Sequence, residues 1–303
     1  MRTELETKPI ARRVLALPAS VAAGDAASAA RRSLATMYAR VRDPAAGWAP
    51  LRAQVAALAP RLSAPPPRSG RCAVAAPGVR MPRLCVTCRG PVWPGRSRCH
   101  QCALHAECLS GLLPDVVVPI AYAVKDGEHA RNLWLYKSAD SAAAAAASAL
   151  RALLVVFLHD HGSCAWRRAG MSAPTHMALV PSGRGRPGPH PLWSLAAPLL
   201  TMPWAGLSLR SRDDQEVRDL DPDRFMAQRL PGARVVLLDD TWTSGASAVS
   251  ATAALKLEGA RSVAVIVLGR HLAAGSWPPE AAAFSPAALP FCPALCAVHG
   301  PAT

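Results

Sequence analysis

Two groups of residues in this 303-residue chain have the types and spacing to do chemistry. The first is the pair Asp239-Asp240, which follows the aliphatic run Val235–Leu238 and precedes Thr241, Thr243, Ser244, Gly245, Ala246 and Ser247. Four aliphatic residues in succession predict a strand buried on both faces, as in a parallel sheet. Carboxylates at the carboxyl end of such a strand lie where open α/β sheets bind ligands. A hydroxyl-rich turn that opens a helix offers free N–H groups and a positive dipole end, both suited to a phosphate. Asp239 and Asp240 then stand beside that phosphate, placed to accept hydrogen bonds from sugar hydroxyls or to approach a hydrated Mg²⁺. The plainer alternative is an ordinary strand-to-helix turn whose Asp and Thr side chains cap the helix.

The second group is Cys85, Cys88, Cys99 and Cys102, spaced C-x2-C-x10-C-x2-C. Two such knuckles bring four thiolates to one tetrahedral centre, the donor set of a structural Zn²⁺. Prolines and glycines around them supply turns, and the segment is too short to bury a core of its own, so metal binding would supply much of its folding free energy. A closed four-thiolate site leaves no position for His100, His105 or Cys108 and has no catalytic role. Two disulfides in a secreted protein are the alternative, disfavoured because no signal peptide is visible; the cytoplasm is the expected location.

The strand, acidic pair, Thr-rich turn and helix resemble the motif by which type I phosphoribosyltransferases bind 5-phosphoribosyl 1-pyrophosphate (PRPP). That resemblance implies that Asp239 and Asp240 hold the ribose hydroxyls and that Thr241 to Ser247 cradle the 5′-phosphate. Trp242 stands where the family carries a small or aliphatic residue, and the motif requires it to point out of the loop or onto a base. With the four-cysteine segment placed before such a domain, the chain from about Cys85 to about Leu272 resembles the ComF competence-protein family. Leu135-Tyr-Lys137 matches that family's Tyr-Lys element. Ala178–Pro187 resembles the strand and basic loop that meets pyrophosphate, although Pro189-His-Pro191 replaces the family's usual ending. The resemblance implies displacement of pyrophosphate from PRPP-Mg²⁺ by a nitrogenous acceptor of unspecified identity, with Lys137, Arg184 and Arg186 neutralising the leaving group. It leaves open a non-catalytic PRPP sensor and an accessory role in DNA uptake beside a protein partner. A homodimer is also open.

The elements that must position these groups follow from hydrophobic pattern and turn residues. Strands are expected at Val116–Val124, His176–Val180, Arg234–Leu238 and Ser262–Leu268. Helices are expected at Ala142–Leu158, with Ser138 or Asp140 as cap and Gly162 as stop, at Leu192–Leu200, and at Ala248–Glu258, stopped by Gly259. The stretch Leu207–Gly232 is charged, with a helical turn at Phe225-Met-Ala, and the resemblance implies that it forms a hood over the site. Strands alternating with helices predict an α/β fold with a parallel sheet covered on both faces, here of the phosphoribosyltransferase type and preceded by a small zinc knuckle. His159-Asp-His161 with Cys164 reads as a solvated helix end in preference to a metal site, and Cys292 and Cys296 as free thiols.

Charge divides the chain unevenly. The formal net charge is +14, but residues 1–80 hold 13 Lys and Arg against 4 Asp and Glu, whereas residues 111–303 hold 17 against 15. Broad electrostatic binding to nucleic acid is therefore not expected of the larger part. The boundaries implied are a disordered Ala/Pro/Arg-rich extension over 1–80, a zinc module over 81–110, the phosphoribosyltransferase-like domain over 111–275 and a Pro-rich tail over 276–303. Ala26–Val41 and Trp48–Leu62 are the extension's candidate helices, and Met81 offers an alternative start. No membrane span is expected: Ala142–His159 is the longest apolar run, interrupted by Arg151 and ended by Asp160.

Overall fold

The computed structural model describes residues 44–65, 83–182, 190–196, 205–209, 219–273 and 289–298. The candidate helix Ala26–Val41, Met81, Arg184 and Arg186 lie outside these residues, as does much of the hood and of the Pro-rich tail. Helix α1 spans Pro44–Leu58 and α2 spans His100–Cys108. There follow β1 (Val116–Val124), α3 (Glu128–Leu135), α4 (Ala143–Arg168), β2 (His176–Leu179) and α5 (Pro191–Ala196). A hairpin of β3 (Leu207–Leu209) and β4 (Phe225–Ala227) precedes β5 (Arg234–Trp242), α6 (Ala246–Leu257) and β6 (Ser262–Leu272).

Four strands form one sheet in the order β1-β6-β5-β2, every pair parallel. Side chains alternate across it, which sorts the core into two layers. Val118, Val236, Leu238, Ile266 and Leu268 face α3, α4 and α5, whereas Val117, Val235, Leu237, Val265 and Val267 face α6 and the cysteine segment. The fold is thus α/β, with a four-stranded parallel sheet flanked by helices. Parallel strands covered on both faces need near-continuous apolar runs, and β1, β5 and β6 supply them.

Several elements differ from expectation. Strand β5 does not stop at Leu238 but carries Asp239 to Trp242, held in register against Val267–Arg270 of β6. Main-chain pairing with a neighbouring strand overrides the weak strand propensity of two Asp residues. Phe225-Met-Ala forms a strand of the hairpin, not a helical turn; a 3₁₀ turn at Pro222–Arg224 comes just before it. Helix α4 runs through Gly162 to Arg168, and the chain leaves it at Gly170, whose φ of 69° provides the left-handed stop. Gly162 instead makes room for Trp166, whose ring atom Cζ2 would lie 3.1 Å from a Cβ there. At the other end neither expected cap is in place: the cap position is Ala142, with no side-chain bond, and Asp140 accepts the Ala142 N–H at 2.7 Å in the turn before the helix.

Residues 44–65 depart most from the expected extension. Helix α1 lies on α4, burying Val55, while Arg52 pairs with Asp160 at 2.6 Å and Trp48 stacks at 4.0 Å on His159. Ser63 bridges both Tyr122 on β1 and Pro290 in the C-terminal segment. The segment finds its apolar partners on α4, so a lack of apolar surface within residues 1–80 does not leave all of them undocked. By length and composition α4 is the one helix among the described residues that could cross a bilayer; here its Leu150, Leu153, Leu154, Val156 and Phe157 are buried in the core.

Candidate functional site

The carboxyl end of β5 sets the site. Asp240 is buried, and its Oδ2 accepts the Tyr136 hydroxyl at 2.5 Å and pairs with the Lys137 ammonium; both residues follow α3. Asp239, one residue earlier, points to the other side of the strand and is half-buried; its Oδ1 accepts the Asp240 N–H at 2.8 Å. The two carboxyls therefore differ. Burial alone would raise Asp240, but the charge and hydrogen bond of Lys137, the Tyr136 hydroxyl and the charge of His190 hold it below the usual carboxylate range. Asp239 is pushed up to about 7, first by burial and then by the negative charge of Asp240, with Lys137 opposing. One acid is a fixed anion and the other titrates near neutrality.

Beyond the acids, Thr243 to Gly245 turn the chain into α6. Gly245 has φ 88°, and a Cβ there would stand 2.1 Å from Cζ2 of Trp242, so a side chain is excluded on two counts. Trp242 is only 1% exposed. It points neither out of the loop nor toward a base, but folds beneath the turn into the core layer shared with Cys85, Cys88 and Cys102. Thr241, Ser244 and Ser247 are half-buried and Thr243 is exposed, while Ala246 begins the helix. The Ser244 hydroxyl accepts the Ala246 N–H at 3.3 Å.

Three further side chains lie around the acids and the turn; Tyr136 stands in the Tyr-Lys stretch singled out in the sequence, whereas His190 and Arg224 had no spacing signal. Tyr136 clamps Asp240; His190, whose Nδ1 accepts the Leu192 N–H at 3.1 Å, lies close enough to influence Asp240; and Arg224 donates to the Ser247 hydroxyl at 3.2 Å from the hairpin. They reach the acids from elements remote in sequence, so only the folded sheet brings them together. Arg184 and Arg186 lie outside the described residues, and Lys137 is engaged with Asp240.

The four cysteines do converge. Their sulfurs all lie within 4.8 Å of one another, with Cys88 Sγ and Cys99 Sγ 3.7 Å apart. A tetrahedron with Zn–S bonds of about 2.3 Å has edges of about 3.8 Å, so the donor set fits a structural Zn²⁺. The first knuckle is closed by Cys85 N–H to Gly90 O at 2.7 Å and Arg89 N–H to Cys85 O at 3.0 Å, with Arg89 at φ 61°. Cys102 enters from α2; His105 and Cys108 on the same helix are not in the ligand group. The segment is not a separate appendage, because Cys85, Cys88 and Cys102 belong to the core layer that covers the sheet.

Arg270 on β6 joins the two groups. Its Nη1 donates to the carbonyls of Trp242 at 3.1 Å and Thr243 at 3.0 Å, at the start of the turn. Burial would weaken its charge, but the negative charge of the nearby sulfurs of Cys88, Cys99 and Cys102 sustains it. Gly90 lies so close that a Cβ there would be 2.8 Å from Arg270 Nη2. The cysteine cluster therefore sits one side chain away from the turn that follows the acid pair.

Neither a model of any known protein family nor any curated protein matches this sequence.

Proposed function

We propose that the crevice at the end of β5 binds PRPP as its Mg²⁺ complex and transfers the phosphoribosyl group to a nitrogenous acceptor, in the manner of a type I phosphoribosyltransferase with a ComF-like zinc knuckle. One observation carries the reading. A buried parallel strand ends in two unlike carboxylates and turns, through a glycine at positive φ, into the N-terminus of α6. The 5′-phosphate would lie at that N-terminus, against the N–H groups and hydroxyls of Thr241 to Ser247. Arg224, already bonded to Ser247, would add a cation at its edge.

Asp240, held ionised by Lys137 and Tyr136, would accept the ribose hydroxyls. Asp239, with its pKa near 7, suits a group that accepts a hydroxyl proton at one pH and loses that ability below it. In the reaction the bond from the sugar carbon to pyrophosphate breaks, pyrophosphate leaves with the electron pair, and the acceptor nitrogen supplies the pair for the new bond and releases its N–H proton to solvent. Positive charge developing on the sugar is stabilised by the fixed Asp240 carboxylate and, above about pH 7, by that of Asp239. Bound Mg²⁺ would supply charge neutralisation on pyrophosphate. Lys137 is spent on Asp240, so neutralising the leaving group falls to Arg184 and Arg186, which follow β2 in the sequence.

Titration calorimetry with PRPP and Mg²⁺ tests the proposal. Asp239→Asn/Asp240→Asn should weaken binding at least tenfold, the loss expected when charge-assisted hydrogen bonds to the hydroxyls disappear. Equal affinity of wild type and double variant would remove the acid pair from the site. Pyrophosphate release across a panel of nucleobases separates a transferase from a protein that only senses PRPP.

A further inference from the structure

The sequence reading treats His161 and Cys164 as part of a solvated helix end and Cys296 as a free thiol in a tail. Among the described residues they instead form a second group of metal-type donors, with their ligand atoms all within 4.8 Å of one another. His161 and Cys164 are three residues apart in the middle of α4, on one face of that helix. His161 is 5% exposed, Cys296 also 5%, and Cys164 is half-buried. We propose that His161, Cys164 and Cys296 bind a second Zn²⁺, distinct from the four-cysteine centre, which fastens the segment 289–298 to α4.

Three features of the geometry support this. The C-terminal segment supplies both a ligand and the group that orients another: the His161 Nε2–H donates to the Pro293 carbonyl at 2.7 Å. Metal-bound histidines characteristically spend their second ring nitrogen on a backbone carbonyl in this way, which fixes the tautomer and leaves the lone pair on Nδ1. The donor set also suits the surroundings. Two thiolates and a neutral imidazole balance the charge of a divalent ion, and the group borders a core layer of Ala165, Phe157, Ala297 and Val298. An ion pair of lower balance would be costly to bury there. Nitrogen with two sulfurs, all within 4.8 Å of one another, is a Zn²⁺ donor set in preference to Mg²⁺ or Ca²⁺, and three protein ligands leave a fourth position for water. Cys292, four residues before Cys296 in the same segment, is outside the group and serves as an internal control.

Elemental analysis of the full chain, purified reduced, tests the site. Wild type should carry about two zinc per chain. Cys164→Ser/Cys296→Ser and His161→Gln should each lose one and keep the four-cysteine zinc. Cys85→Ser/Cys99→Ser should lose the other and keep this one, so failure at either centre is recognised separately. Cys292→Ser should lose none. In wild type, Cys164 and Cys296 should resist alkylation until a chelator is added, while Cys292 reacts throughout. The proposal is overturned if Cys164→Ser/Cys296→Ser leaves zinc content unchanged. It is equally overturned if Cys164 and Cys296 alkylate as fast before chelation as after, or if intact mass shows them joined as a disulfide.

Discussion

The four-cysteine centre and the acid crevice lie one arginine apart, yet they are built in opposite ways. All four sulfurs come from an 18-residue stretch, Cys85 to Cys102, and turns close them on themselves. The crevice gathers Tyr136, Lys137, His190, Arg224, Asp239 and Asp240, drawn from the end of α3, the start of α5, the hairpin and β5. A site of local spacing persists while its segment persists. A site of distant parts exists only when the sheet, its covering helices and their docking are all in place. The two should therefore fail under different insults.

The sharpest division is expected from removing α1. A chain beginning at Met81 loses the burial of Val55 and Leu62 and the bridge from Ser63 to β1. Two such side chains are worth about 3–6 kcal/mol, so its urea or thermal midpoint should fall well below that of the full chain. Its zinc at Cys85, Cys88, Cys99 and Cys102 should remain. Identical melts would show that α1 rests on α4 without stabilising it, and loss of that zinc would show the cysteine centre to be as dependent on distant packing as the crevice.

Arg270→Gln probes the link between them. The variant keeps all four sulfurs but loses the charged donor to the Trp242 and Thr243 carbonyls. PRPP affinity should fall roughly tenfold, the scale of a charge-assisted hydrogen bond, with zinc content unchanged and partial recovery in Arg270→Lys. Zinc loss matching the affinity loss would place Arg270 within the cysteine centre alone.

The smallest effect is a pH dependence confined to the crevice. Asp239 titrates at about 7, so PRPP affinity should decline several-fold as pH falls from 8 to 6, and Asp239→Asn should flatten that decline. Stability should move the opposite way. A carboxyl whose folded pKa lies above its unfolded value holds its proton more tightly when folded, so its contribution to stability is greatest at low pH and is lost as pH rises through about 7. At pH 8 Asp239→Asn should therefore melt higher than wild type, by roughly 2–4 °C for about 1 kcal/mol. A lower melting point would mean that the ionised carboxylate has a stabilising partner.

The same contrast explains what could be read in the sequence. The cysteine spacing and the aliphatic runs of β1, β5 and β6 carry their meaning within short windows, so the four-cysteine cluster and the parallel sheet were legible. The prolongation of β5 through Asp239–Trp242 was not, because it depends on β6 lying alongside. Trp242 was misplaced for a related reason: whether an indole turns inward depends on the space beneath Gly245, which no local pattern encodes. Gly162 looked like a helix stop because glycine both ends helices and admits a close neighbour, and Trp166 decides which. Tyr136 lay inside a recognisable stretch, but His190 and Arg224 had no signal of their own.

Ser63 bonds on one side to Tyr122 of β1 and lies on the other beside Pro290, with Ala64 N–H to Leu289 O at 3.1 Å and Phe291 N–H to Leu62 O at 3.0 Å. This clasp covers the open edge of the sheet with two strips of chain made at very different times. As the polypeptide leaves the ribosome, residues near 63 wait through more than two hundred further residues before their partner at 290 appears. At typical elongation rates that is about ten to fifty seconds. For that interval the strip at residues 62–64, which lies along β1 once that strand is made, leaves its own outer side unpaired, the kind of surface that recruits neighbouring chains. Crowded synthesis, before any heat or denaturant, is the condition under which this fold is most exposed to misassembly.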